Sequence, residues 1–208
     1  MTIPAIVARR GIAEVVHFTT SKGVLGTLDS GAILSRPLVR TEERLEYIMR
    51  LNTPIVKDAG WERYVNLSIT TINRRLFDFS ANQWHPDLWW AILALEPEIL
   101  SHDGVFFVTT NNIYPSRRRA GGADGLEAMF ADPVYGRYNF VHRRPNGMPD
   151  NLTTDNEAEV LYPERISSEF VRTIYVAEHD HADQVCSHIA LVGHRDIPVV
   201  VAPERFAH

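Results

Sequence analysis

The stretch TDNEAEVLYP, residues 154–163, is an apolar strand with acids set into it. Side chains alternate faces along a strand, so Glu157, Glu159 and Leu161 share one side and Ala158, Val160 and Tyr162 the other. Pro163, which has no N–H to donate, stops the run. A carboxylate buried in such a strand costs several kcal/mol unless donors answer it. Either this edge of the sheet is wet, or Glu159 lines a cleft.

Working outward, GVFFVTTNN (104–112) and FVRTIYVAE (170–178) read as strands on either side of it in the chain. YVNLSITT (64–71) alternates, WWAILALEPEIL (89–100) is a buried strand and its exit, and IPVVVAP (197–203) is a last strand. EVVHFTTSKG (14–23) gives a strand over about 13–19 that breaks at Ser21-Lys22-Gly23. Helical stretches are VLGTLDSG, closing on Gly31, and HADQVCSHIALVG (181–193), closing on Gly193. RPLVRTEERLEYIMRLN (36–52) also has helical spacing, at Leu45, Ile48 and Met49. Strands and helices that mix without strict alternation predict an α+β fold with a substantially antiparallel sheet. There is no repeat, and residues 1–208 are expected to form one domain.

A composition of 45% hydrophobic and 23% charged residues is that of an ordinary globular protein. No run approaches the roughly 18 apolar residues of a membrane span, so no membrane partner is expected. Cys186 stands alone, which excludes a disulfide framework and a thiolate metal cluster and points to a cytoplasmic protein. The formal charge of −5 argues against non-specific coating of nucleic acid. Its distribution is uneven: residues 115–150 hold six arginines against four carboxylates. They lie in a weakly periodic segment, 113–156, where Tyr135, Tyr138 and Phe140 accompany the cations. Loops longer than about 15 residues inside a domain are usually functional or disordered. Rings for bases and cations for phosphates are what a single-stranded nucleic acid site uses; a solvated excursion has the same composition.

His17, between β-formers, is either a satisfied core polar group or a side chain reaching into a cleft. Arg74 and Arg75, in INRRLFDF (72–79), are either surface charges at a strand exit or a clamp for a pyrophosphate, whose oxygens match guanidinium forks. His179, His181, His188 and His194 fit no metal-ligand spacing and read as surface histidines. There is no Walker loop, no GxGxxG and no GxSxG.

In order and spacing these pieces resemble the DarT family of DNA ADP-ribosyltransferase toxins over roughly 14–203. HFT (17–19) followed by GAILSR (31–36) is similar to the family's opening. YVNLSITTINRRLF (64–77) resembles a strand followed by an N-x-R element. VFFVTTNN (105–112) is a strand ending at Asn before a long loop, and EAEVLYP (157–163) looks like the strand that bears the catalytic glutamate. The chain departs from the thymidine-modifying members in reading Asn73-Arg74-Arg75-Leu76-Phe77 where they carry Asn-Pro-Arg, and in placing Glu157 before Ala-Glu. Guanine and thymine therefore both stand as the target base, guanine marking the family's other branch.

The resemblance implies an ADP-ribosyltransferase fold: a split β-sandwich of two antiparallel sheets with surrounding helices and an NAD cleft. It implies NAD+ as substrate, no metal, single-stranded DNA as acceptor, release of nicotinamide, and a cognate antitoxin that removes the ADP-ribose or blocks the site. Glu159 and Arg75 would be catalytic, while His17, Phe18, Thr19, Asn73 and Arg74 would hold NAD+. The 113–156 region, inserted before the glutamate strand, would hold DNA through Arg117, Arg118, Arg119, Tyr138, Arg143 and Arg144. Two other readings share these residues: transfer to RNA or protein, and an inactive module that binds NAD+ or nucleic acid.

Overall fold

The computed structural model describes residues 1–39 and 60–207. Its elements in chain order begin with helix α1 (Ile3–Arg10), strand β1 (Val15–Thr20), helix α2 (Ser21–Ser30), β2 (Ala32–Leu34), β3 (Tyr64–Ile69), α3 (Arg74–Phe79) and β4 (Trp90–Leu95). Then follow β5 (Phe106–Val108), β6 (Arg119–Gly121), α4 (Gly122–Ala128), β7 (Val134–Tyr135) and β8 (Val141–His142). The last are β9 (Glu159–Pro163), β10 (Arg165–Ser167), β11 (Val171–Val176), α5 (His179–Val192) and β12 (Val199–Val201).

The fold is α+β, built on one eight-stranded sheet in the order β12-β11-β4-β1-β3-β9-β5-β6. Its neighbours are antiparallel except for the parallel pair β11–β12. β4 reads as a continuous apolar run because it is buried along its whole length. The expected two separate sheets are here one hydrogen-bonded sheet with a narrow waist. β1 pairs with β4 from Val15↔Leu95 to Thr20↔Trp90. With β3 it pairs only at Val15↔Ile69 and Val16↔Ser68. β3 then turns its other edge to β9, from Tyr64↔Pro163 to Leu67↔Val160. Two ladder pairs keep the halves continuous, and beyond Val16 the two strands have no paired residues.

A large core made of Val15, Leu67, Leu93, Phe107, Val160 and their neighbours covers one face, and Val16, Ile72, Phe77, Trp90 and Ile92 form a smaller cluster. α2 starts directly at the end of β1: the Thr20 hydroxyl accepts the Gly23 N–H (3.3 Å), and Gly31 closes the helix at φ 66°. α1 has the start and stop signals of a short helix, with Thr2 as cap, Pro4 in the first turn and Gly11 past the end. Its Arg9 and Arg10 both pair with Glu127 of α4.

Of the helix expected over 36–52, Arg36–Leu38 forms a short 3-10 turn and the part beyond residue 39 lies outside the described residues. The 113–156 segment, expected as a loop, holds β6, α4 and the β7–β8 hairpin. Elements of two to seven residues are too short to show a period, which is why the stretch looks irregular in sequence.

Gly125, in the middle of α4, lies against β6: a Cβ there would be 2.3 Å from the Ala120 carbonyl oxygen. Gly→Ala inside a helix ordinarily gains about 1 kcal/mol. Here the sign reverses, and Gly125→Ala is expected to lower the urea midpoint; a raised midpoint would show that α4 can shift off β6.

Candidate active site

Where β1 and β3 part, a side chain takes over from the ladder. Asn66 pairs with Leu161 of β9, and its carbonyl accepts the His17 Nδ1–H at 2.9 Å. A carbonyl cannot donate, so Nδ1 carries the proton. Loss of hydration, only partly offset by the Asn66 bond, holds the pKa of His17 below its ordinary value. The ring is therefore neutral at pH 7, and Nε2 presents a lone pair. Phe18 points the other way, packing edge-on to Phe77 (centroids 5.6 Å apart) and tilted against Trp90 (5.8 Å). Thr19 of β1 packs its hydroxyl against the first turn of α2, where a Cβ on Gly23 would fall 1.9 Å from it.

Glu159 is the first residue of β9 and only 5% exposed. Its Oε2 accepts the backbone N–H of Asn112 at 2.8 Å. Register brings that donor there: Val108 of β5 pairs with Glu159, and the chain leaving β5 folds back over the carboxylate. Asn112 is braced in turn, its Oδ1 accepting from Arg119, whose guanidinium lies 3.8 Å from the Trp61 ring centroid. Cation–π packing of this kind contributes about 0.5–2 kcal/mol. Arg119 thus props the donor of Glu159.

Beside Glu159 lies a second acidic group. Glu157 Oε2 accepts the Tyr114 hydroxyl at 2.7 Å, and Arg75 Nη1 approaches Oε1 at 3.8 Å. Burial first, then the Glu157 hydrogen bond and charge, raise the Tyr114 phenol far above its ordinary range, opposed by Arg137 and Arg75. Tyr114 remains a donor. Arg75 is exposed in the first turn of α3, which Asn73 caps by accepting the Leu76 N–H (3.0 Å). Asn73 Nδ2 is buried without a partner among the described residues. Arg74 points elsewhere, its Nε on Asp78 (3.1 Å) and its Nη1 on the Ala207 carbonyl (3.0 Å). The turn into α3 passes through Thr70 at φ 65°, a left-handed backbone rare for a β-branched residue. Bonds from its N–H to the Glu14 carbonyl and from its hydroxyl to the Asn151 carbonyl hold it there.

The remaining arginines divide. Arg144 donates to the Leu152 and Pro149 carbonyls and to Thr154, so it staples the segment leading to β9. Arg117 donates to the Tyr114 carbonyl. Arg118 is exposed, and Arg143 is exposed beside Asp132. The β7–β8 hairpin presents Tyr138, 87% exposed, with Phe140, Tyr135 and Val141 also exposed, and Arg137 stacked on Tyr138 at 4.8 Å.

His17 and Glu159 flank β3 from its two sides. Alternation sets Glu159 opposite Val160 and His17 with Val15, so the two leave opposite faces of the sheet, separated by β3. Asn112, Tyr114 and Asp155, none singled out from sequence, tie the surroundings together. The Asn pair ending a strand was a signal for Asn112; nothing in sequence points to the other two. A cavity of about 400 Å3 lined by Trp89, Trp90, Phe206 and His181 lies elsewhere and includes none of these polar groups. Among the described residues no group of three His, Cys, Asp or Glu is placed to hold a metal, and no helix is long and apolar enough to cross a membrane.

The sequence profile of DarT, described as an ssDNA thymidine ADP-ribosyltransferase, matches residues 16–207. No curated protein matches the chain significantly. The fold is similar to Thermus sp. 2.9 DarT in complex with ADP-ribosylated ssDNA, with a TM-score of 0.65 and 14% identity, covering 94% of this chain and 97% of that one. Thermus sp. 2.9 DarT in complex with NAD+ gives 0.63 and 14%, covering 94% and 98%. Thermosipho africanus DarTG in complex with ADP-ribose gives 0.59 and 17%, covering 93% of this chain and 51% of that one, so this chain spans about half its length.

His17 ties stability to pH. Its ordinary pKa is 6.5 and folding lowers it, so the unfolded chain takes up the proton first on acidification. Stability from this group is whole above the ordinary value and is lost as the pH falls through the lowered one. His17→Gln, with no charge to gain, is expected to flatten the decline of unfolding free energy below that ordinary value in urea titrations. Equal slopes in the two proteins would assign the decline to another group.

Proposed function

The chain belongs to the DarT family, and from that premise we propose that it transfers ADP-ribose from NAD+ to a guanine or thymine of single-stranded DNA. The observation that carries this reading is the buried carboxylate of Glu159 at the start of β9, oriented by a backbone N–H from the chain leaving β5, across β3 from the place where the β1 ladder ends. We read the whole chain as one transferase domain and the waist of the sheet as the split of an ADP-ribosyltransferase sandwich.

β1 beyond Val16 pairs with β4 on one edge, while the register with β3 has ended. Strand amides and carbonyls alternate edges, so some of those of His17–Thr20 face the gap without a strand partner among the described residues. They are suited to the carboxamide of nicotinamide, with Phe18 supplying backbone and Thr19 supporting the same end. His17 Nε2 accepts from a ribose hydroxyl. Arg75, exposed and near the Glu157 carboxylate, faces the pyrophosphate or the incoming base. Arg74 and Asn73 act from behind by fixing the first turn of α3.

Breaking the bond between C1 of the ribose and the nicotinamide nitrogen leaves both electrons on nicotinamide, which departs neutral, and an oxocarbenium-like sugar. Glu159 holds the ribose 2′-hydroxyl and stabilises the developing positive charge. A nitrogen of the base forms the new bond to C1 and gives its proton to the Glu159 carboxylate. The base must be unpaired to present that nitrogen, which is why a single strand is the substrate. Arg118, Arg143 and the rings of the β7–β8 hairpin engage the strand, and Arg117, Arg119 and Arg144 hold the surface that carries them. A DNA-modifying activity of this kind belongs to a toxin of the cytoplasm with an antitoxin that reverses the mark or covers the site.

Labelled NAD+ incubated with DNA oligonucleotides of single-base composition, matched RNA and casein tests this. Label is expected on one DNA only; label confined to RNA or casein would replace DNA as acceptor, and binding of NAD+ without label would make the chain an inactive module. Glu159→Gln is expected to lower transfer by about a hundredfold or more with an unchanged melting temperature. Arg75→Ala is expected to raise the KM for NAD+, whereas Arg74→Ala should act first on stability, through Asp78 and Ala207.

A further inference from the structure

Asp155 is 1% exposed, yet no step above uses it. Its carboxylate touches three separate parts of the molecule. Oδ2 accepts the hydroxyl of Thr110, just past β5, at 2.6 Å. Oδ1 accepts the backbone N–H of Glu157, two residues before Glu159, at 2.9 Å. His142 of β8 brings Nε2 to 3.4 Å of Oδ2, and its ring stands edge-on to Phe140, centroids 5.0 Å apart. The backbone of the hairpin closes over the pair. A Cβ on Gly136 would fall 2.4 Å from His142 Nε2 and 2.8 Å from Asp155 Oδ2. Gly136 is itself tied down, its carbonyl accepting from Ser116 (2.6 Å) and its N–H donating to the Phe140 carbonyl (2.8 Å).

The His142–Asp155 contact joins the hairpin to the segment leading into the Glu159 strand. The rings it carries, Tyr138 and Phe140, are exposed and two to four residues from His142. A carboxylate in this environment is costly to bury and is held by all of its donors together, so it resists displacement.

We propose that Asp155 is a positioning residue, which through His142 fixes the aromatic hairpin relative to the strand carrying Glu159 and so sets where an unpaired base is held against the reacting carbon. This rests on the reading of the chain as a transferase acting on single-stranded DNA. The latch acts on the acceptor and not on NAD+, because its contacts lead to the hairpin and not to His17 or Phe18.

Steady-state transfer on a single-stranded oligonucleotide tests it with His142→Gln, Asp155→Asn and the double variant. The KM for the oligonucleotide is expected to rise by about tenfold in each, with the KM for NAD+ within about twofold. Two variants that break one contact are expected not to compound, so the double should be no worse than the poorer single. Loss confined to kcat, an equal rise in both KM values, or a double variant equal to the product of the singles would overturn the proposal. Should Asp155→Asn fail to fold, His142→Gln decides alone, since its ring is partly exposed. Amide hydrogen exchange of residues 134–142 supplies a readout that needs no activity: it should quicken in His142→Gln while β9 stays protected. Unchanged exchange in the hairpin overturns the latch. If the wild type labels no DNA, the functional reading falls, and exchange still decides the latch.

Discussion

A carboxylate kept out of water at the first residue of a central strand must find its donors in the protein, and Glu159 finds one in the backbone N–H of Asn112. Much of the surrounding architecture follows from that need. The chain must leave β5 in register with β9, which the pairing Val108↔Glu159 provides. The turn holding Asn112 must not drift, and Arg119, wedged between Asn112 Oδ1 and the Trp61 ring, steadies it. A backbone donor also has an advantage over a side chain: it loses little conformational freedom when it is used. The result is a carboxylate whose direction is fixed by the fold itself.

The waist of the sheet complements this. Strands held by a full ladder leave no edge for a ligand, whereas β1 and β3 are joined by two pairs and then stop. His17 covers the Asn66 carbonyl that the missing ladder exposes, and the same bond selects the tautomer in which Nε2 can accept. One hydrogen bond thereby satisfies a backbone group and sets the polarity of the opening.

Much of the sheet was legible in sequence because its strands are apolar runs long enough to show alternation or continuous burial, as in Val15–Thr20, Trp90–Leu95 and Val171–Val176. Other features were not. Helix α3 was hidden at a strand exit, although Asn73 before Arg74 is a serviceable cap signal. The parts of 113–156 fall below the length at which a period can be seen. A count of arginines cannot separate Arg118, which faces water, from the half-buried Arg119 and Arg144, which are bound to ring, amide and carbonyl groups of the protein. The continuity of the sheet is similarly fine detail, since two residue pairs at the waist are enough to join its halves. Tyr114 and Asp155 bond to groups 43 and 45 residues away, a relation no local pattern encodes.

The tip of the β7–β8 hairpin turns through Tyr138 and Asn139, at φ 55° and 59°. Neither is glycine, and an unfolded chain seldom visits that conformation twice in succession. The backbone that displays the rings is therefore set in advance, and its ordering cost has been met during folding. A nucleotide landing on them would have to surrender its own freedom while the protein surrenders little. Discrimination would then lie with the nucleic acid: a strand already loose enough to turn a base outward would be received, and a stiff duplex would not.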